Sequence, residues 1–226
     1  DTLRFEPVRV PGAWQDSGIP GHGVGWYRTR FELDPAVSGL TLALAIEQIR
    51  DAEEVYLDGQ LVGRTGGFPP RYEKATLIDR VYELPTHVTT RSGTHLLAIR
   101  VYNPGPRAGG LTGEPFLDTV ASAFWKRTGR EAPRALLAAA IGCLGLFSLF
   151  FYLRAREQVD FLYYFLYTTG IAVYLATWHS VWAETGISLS LLFRVNCALA
   201  FVLFSLYLLF FDTFFGPSAF WPSERS

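Results

Sequence analysis

Along this chain the spacing of apolar positions changes near residue 134. Ahead of that point Tyr27, Thr29, Phe31 and Leu33 alternate with Arg28, Arg30 and Glu32, and Leu40, Leu42, Leu44 and Ile46 alternate with small or polar neighbours. A period of two sends successive side chains to opposite faces, which predicts half-buried strands. Between Glu54 and Gly63 two short apolar stretches flank Asp58-Gly59, a dipeptide that tolerates positive φ at both central turn positions and so predicts a tight hairpin. Val81 to Leu84 and Leu96 to Val101 predict two further strands. No segment of this half carries a 3.6-residue stripe, so an antiparallel all-β sandwich is expected.

Beyond 134 the pattern is continuous rather than alternating. Ala135 to Leu153 contains no charge, and two more apolar runs follow, Phe161 to His179 and Leu189 to Phe211. A helix rises about 1.5 Å per residue and the hydrocarbon layer is about 30 Å thick, so three membrane spans are expected. Lipid offers no water to backbone amides, and a helix satisfies them within the segment.

Whole-chain averages conceal this division, since a mean hydropathy of +0.18 also suits a soluble protein. Of the 20 basic and 21 acidic side chains, only nine lie in 135–226. The expected domains are therefore a sandwich over 1–125, a linker into the membrane over 126–134, and the first three helices of a truncated transmembrane domain over 135–226. The chain starts at Asp1, has no Met and shows no leader, so a trimmed secretory signal and further protein after Ser226 are expected. A net charge of −1 argues against nucleic acid.

Little points to catalysis or to a metal. His22, His87, His95 and His179 lack ligand spacing, and both cysteines, Cys143 and Cys197, fall inside apolar runs. Asp51, Glu53 and Glu54 offer oxygens of the kind calcium takes, but a charge run before a hairpin reads as a solvated loop. Gly21, Gly23 and Gly25 lack the spacing of a phosphate cradle, and Asp16, Ser17 and His22 lack a nucleophile elbow. No cofactor, no metal and no enzymatic activity of this segment are expected.

Four segments in order resemble a known fold: Val10-Pro11-Gly12-Ala13-Trp14; Gly25 to Phe31; Ala52 to Gly59 with Gly63; and Leu97 to Asn103. They are similar to the galactose-binding-like jelly roll, the accessory sandwich of family 2 glycoside hydrolases. A jelly roll followed by apolar helices resembles bacterial seven-transmembrane receptors with diverse intracellular signalling modules. That resemblance implies an extracytoplasmic sensor sandwich, a multi-pass bacterial inner membrane protein, and a cytoplasmic output domain beyond this segment: diguanylate cyclase, histidine kinase, adenylate cyclase or serine/threonine phosphatase. The alternatives are a membrane-anchored carbohydrate-binding module or the accessory part of a membrane-bound glycoside hydrolase. The partners expected are the bilayer, a carbohydrate or other small ligand and, in a homodimer, a second copy.

For the ligand the candidates are Trp14, Trp26, Arg71, Tyr72 and Asn103, because sugar rings stack on aromatics while Arg and Asn satisfy hydroxyls. Within the resemblance Trp14, Trp26 and Tyr27 fall at core or strand-entry positions, and Arg71 and Tyr72 fall in an exposed loop. In the membrane half the candidates are His179, Glu184 and Arg194, since ionisable groups in lipid are costly and pair or snorkel; an Arg194 to Glu184 pair is the sharper expectation. Asn196 is expected to bond a neighbouring helix. Flanking charge is divided on orientation, with Arg154, Arg156 and Arg225 on one side and Lys126, Arg127, Arg130 and Arg134 on the other. Export behind a leader decides for an outside sandwich.

Overall fold

The computed structural model describes residues 5–37, 39–75, 78–90, 93–106, 108–178, 180–183 and 185–215. They form two compact units, Asp1–Thr128 with Ala183–Ser190, and Gly129–Trp182 with Leu191–Ser226.

The first unit is mostly sheet. Its strands are β1 (Gly23–Leu33), β2 (Leu42–Ile46), β3 (Ile49–Arg50), β4 (Ala52–Leu57), β5 (Gln60–Thr65), β6 (Arg80–Glu83), β7 (Gly93–Asn103), β8 (Gly110–Leu111) and β9 (Pro115–Thr119), with a one-turn helix α1 (Thr86–Thr89) between β6 and β7. All pair antiparallel, in a four-stranded sheet ordered β1-β7-β4-β5, a three-stranded sheet ordered β6-β2-β9, and the pair β3-β8. The two larger sheets share one apolar core: Leu42, Leu44 and Ile46 of β2 meet Val55, Leu57, Leu97, Ile99 and Val101 of β4 and β7. This is the layered arrangement that alternation predicts, but sheets of four, three and two strands differ from the eight strands in two sheets of a full jelly roll. The hairpin forms at Asp58-Gly59, with φ of 50° and 84°, the left-handed pair a type I′ turn requires.

Strand β2 is buried on both faces. Its other face, Ala43 and Ala45, lies against Ala123 and Val120 at the start of helix α2 (Val120–Arg154). Small alanines let a helix approach the sheet closely. Thr119 starts that helix by accepting the Ser122 N–H on its hydroxyl at 3.3 Å.

Residues 126–134, expected as a linker, are helical and lie within α2. Pro133 suggests a break in the sequence, but a proline inside a helix removes a single bond, to the carbonyl four residues back at Gly129, and Ala, Arg, Lys and Glu around it favour helix.

The second unit packs the rest of α2 with α3 (Asp160–Ala176) and α4 (Leu189–Phe215). Two of these, α2 and α4, are long and apolar enough to cross a membrane, with mean hydropathy of 2.3 and 2.1. Only 11% and 6% of those windows are buried within the described residues. Phe201 is 78% exposed and Leu136 69%. The second of the three expected spans, Phe161 to His179, is shorter: α3 has 17 residues, about 25 Å, and ends where the Trp178 N–H turns back to Leu175 O.

Close contacts use small residues. A Cβ at Gly145 would stand 2.7 Å from Thr168 Oγ1, so α2 meets α3 through a residue without a side chain. Asn196, buried on α4, donates to Thr177 Oγ1 at 2.6 Å, the interhelical bond expected of it.

Candidate ligand-binding face

Strand alternation builds a row of side chains across the four-stranded sheet. Trp26 on β1 pairs with Arg100 on β7, Arg100 with Glu54 on β4, and Glu54 with Arg64 on β5. Their odd-numbered neighbours Tyr27, Ile99 and Val55 join the core, so these four point away from it. Strands lie about 4.8 Å apart, which makes the row about 14 Å wide.

Aromatic rings flank this row. Trp26 is 45% exposed and its ring centroid lies 5.7 Å from that of Tyr56. The Arg100 guanidinium stands 4.3 Å from the Phe68 centroid and 5.9 Å from that of Trp26, and donates to Glu54 Oε2 at 3.0 Å. The Tyr56 hydroxyl donates to the same oxygen at 2.9 Å. Burial, then the bond to Glu54, raises the Tyr56 phenol above its ordinary value. Phe68 and Tyr72 continue the aromatic surface onto Tyr102, at 5.8 and 5.6 Å.

Beside Trp26 runs a groove of about 470 Å³, lined among others by Phe5, Glu6, Ile19, His22 and Val24. Its size falls in the range of small-molecule sites. Trp14 forms part of its wall through Gly25, where a Cβ would stand 2.6 Å from the Trp14 ring.

The segment carrying Phe68 and Tyr72 is tied down from beneath. Asp51 accepts the Tyr72 hydroxyl on one oxygen and the Ala75 N–H on the other at 2.7 Å. Arg80 bonds Glu53 Oε1 at 2.8 Å and reaches the carbonyls of Ile78, Asp51 and Ala75. Tyr82 donates to Glu53 Oε1 at 2.6 Å and shares a short bond with Thr65.

The carboxylates at 51, 53 and 54 are thus not a solvated loop. Asp51 and Glu53 are buried, Glu54 points to the opposite face, and the three have separate partners. They converge on no common ion, and no group of three His, Cys, Asp or Glu able to hold a metal occurs among the described residues.

Of the five ligand candidates, two are buried, Trp14 as its core or strand-entry position implies and Asn103 against that expectation. Trp14 is 4% exposed and its indole N–H is used by the Tyr27 hydroxyl at 2.8 Å. Asn103 is 6% exposed and donates to the carbonyls of Gly21 and Gly105. Both hold the unit together. Trp26, Arg71 and the ring of Tyr72 are exposed. Arg194 is exposed on α4, whereas His179 and Glu184 lie outside the described residues, and with them the Arg194 to Glu184 pair. Asp16 caps the turn at Ala13 by accepting its N–H at 3.0 Å, so it does not orient His22 as a base.

Sequence reasoning missed Tyr56, Phe68, Arg100, Glu54 and Arg64. The signal was present for four of them: the Asp58-Gly59 turn sets the register that opposes Glu54 to Arg64, and alternation assigns Tyr56 and Arg100 to the same face. The arrangement sets exposed aromatic rings beside hydrogen-bonding and charged groups.

No family model matches the chain, and no curated protein matches it in sequence. Among solved structures it is similar to a glycosyl hydrolase family 2 member from Bacteroides cellulosilyticus (21% identity, TM-score 0.40, 49% of this chain and 16% of that one). It is also similar to a β-glucuronidase from glycoside hydrolase family 2 (18%, 0.42, 52% and 15%) and to a putative β-galactosidase from Bacteroides fragilis (19%, 0.41, 51% and 18%). The chain spans less than a fifth of the length of these enzymes. They are hydrolases, and the receptor resemblance finds no support among them.

Proposed function

We propose that the sheet unit is a carbohydrate-binding domain anchored to a membrane by the apolar helices, with α3 serving as a third, short span. The observation that carries this reading is the exposed Trp26 ring, flanked by Tyr56, Phe68 and Arg100 and opening onto a groove of ligand size. Sugar rings bring C–H faces to such aromatics and hydroxyls to arginine. No catalytic step is assigned to these residues.

The test is binding of the full chain to immobilised oligosaccharides. It should be reconstituted in zwitterionic lipid discs, because glycosidic detergents would compete. Binding should weaken about tenfold in Trp26→Ala. Equal binding by that variant refutes this face.

A signalling role is the second reading, favoured by one observation: α2 runs unbroken from residues that pack on Ala43 and Ala45 into the apolar stretch. In this reading the sheet unit is the extracytoplasmic sensor of a cell-membrane receptor, and a ligand that binds one seating of α2 better shifts the helices. Hydrogen exchange over 116–130 should slow or quicken when saccharide is added; no change removes the coupling.

A further inference from the structure

The face around Trp26 is more basic than its aromatic content requires. On β1 the outward positions after Trp26 are Arg28, Arg30 and Glu32, and on β5 the outward position level with Trp26 is Arg64. Together with Arg100 and Glu54 the face presents four guanidiniums against two carboxylates, in a chain whose net charge is −1.

These arginines have different duties. Arg100 is bound to Glu54 and sandwiched by Phe68 and Trp26, so its charge is used within the protein. Arg28, Arg30 and Arg64 are exposed, and among the described residues none has an ion-pair partner; Arg28 only lies over the Phe5 ring at 5.0 Å. Arg64 stands about 14 Å from Trp26 across the sheet, and Arg28 is the next outward position along β1, about 7 Å away. Three unpaired forks therefore surround an exposed indole within the span of a short oligosaccharide.

We infer that this face takes an acidic oligosaccharide, one pyranose ring stacking on Trp26 while carboxylate or sulfate groups of neighbouring rings meet Arg28, Arg30 or Arg64. Guanidinium binds such groups through two parallel hydrogen bonds, which a neutral hydroxyl cannot match in charge or geometry. The inference rests on the carbohydrate-binding reading and adds the class of sugar. Glu6 and His22 line the groove, whose Phe5 ring lies under Arg28, so the anion is assigned to the guanidiniums of Arg28, Arg30 and Arg64 rather than to the groove floor.

The experiment uses the full chain in discs of zwitterionic lipid, titrated with three tetrasaccharides: a galacturonate, a sulfated galactose and a neutral galactose oligomer. At least one acidic probe should bind about tenfold tighter than the neutral one, and the preference should shrink as salt rises from 50 to about 500 mM. Arg28→Gln and Arg30→Gln, both at exposed positions outside the row through Trp26, should lower acidic binding several-fold and leave neutral binding unchanged, and Arg64→Gln should cost acidic binding more than neutral binding; near-ultraviolet circular dichroism verifies their fold. Which acidic probe prevails separates carboxylate from sulfate. Neutral and acidic probes binding equally, or the arginine variants behaving as wild type, overturns the inference and leaves the carbohydrate reading standing. Binding of no saccharide overturns both. Discs containing phosphatidylglycerol that engage the sheet unit through these arginines, with no acidic saccharide able to compete, assign the face to a lipid surface and also overturn it.

Discussion

Arg80 Nε lies 2.8 Å from Glu53 Oε1, and both side chains are withdrawn from water. A buried pair of this kind adds little over apolar residues of the same volume, but breaking it leaves one charge uncompensated. Glu53→Gln should therefore destabilise the sheet unit by about 3 to 5 kcal/mol, read from urea unfolding followed by tryptophan fluorescence. Arg80→Leu should do more than unfold: because Arg80 also holds the carbonyls of Ile78, Asp51 and Ala75, it should loosen the segment carrying Phe68 and Tyr72 and weaken saccharide binding. A change of under about 1 kcal/mol in both variants would show that the pair is not buried in solution.

The phenols above that pair predict behaviour in alkali. Burial and then the charge of Glu53 push Tyr82 well above its usual value, and burial and then the bond to Asp51 raise Tyr72. A group whose folded value is raised stabilises fully below its unfolded value, about 10 for tyrosine, and that contribution is lost as pH climbs beyond it. Stability should fall above about pH 10, with part of the phenolate absorbance at 295 nm appearing only in the unfolding step. Smooth titration of every tyrosine near pH 10 without unfolding would contradict the buried network. In Asp51→Asn the Tyr72 phenol should titrate earlier.

Where the sheet hands over to α2, acid is the informative direction. Asp118 accepts Lys126 Nζ at 2.7 Å and Ser122 Oγ at 2.6 Å, and these bonds, Lys126 first, lower its carboxyl to about 2. A lowered folded value gives stability that is present above the unfolded value, about 3.9, and disappears as pH falls through about 2. Between pH 4 and 2 the first turns of α2 should open to hydrogen exchange in wild type, and Asp118→Asn should already be open at neutral pH. Equal protection in the two proteins at neutral pH would remove Asp118 as an anchor of this helix.

A structural feature is legible in the sequence where the deciding contact is local. Asp58-Gly59 is a local turn signal and its hairpin forms where expected; the even positions of 23–33 face outward because alternation is local as well. Apolar runs announced three helices. Their ends were harder: Pro133 suggested a break that surrounding helix formers override, and the second run ends as a helix at Ala176 although apolar residues continue. Burial of Asp51 and Glu53 was illegible, because their partners Tyr72, Ala75 and Arg80 lie 21 to 29 residues away. For the same reason Asn103 looked like a ligand residue, since an amide is chemically fit for sugar and only a tertiary contact assigns it to Gly21, whereas the core position of Trp14 was already implied by the resemblance and its Tyr27 partner was not.

The proposed function requires apolar helices that lie in lipid while carrying a folded sheet unit. Washing membranes that contain the full chain with sodium carbonate at pH 11 tests this directly, since that treatment strips peripheral proteins and leaves integral ones. The chain should stay wholly in the membrane pellet, as exposed residues such as Phe201 and Leu136 demand. Recovery in the supernatant would contradict it.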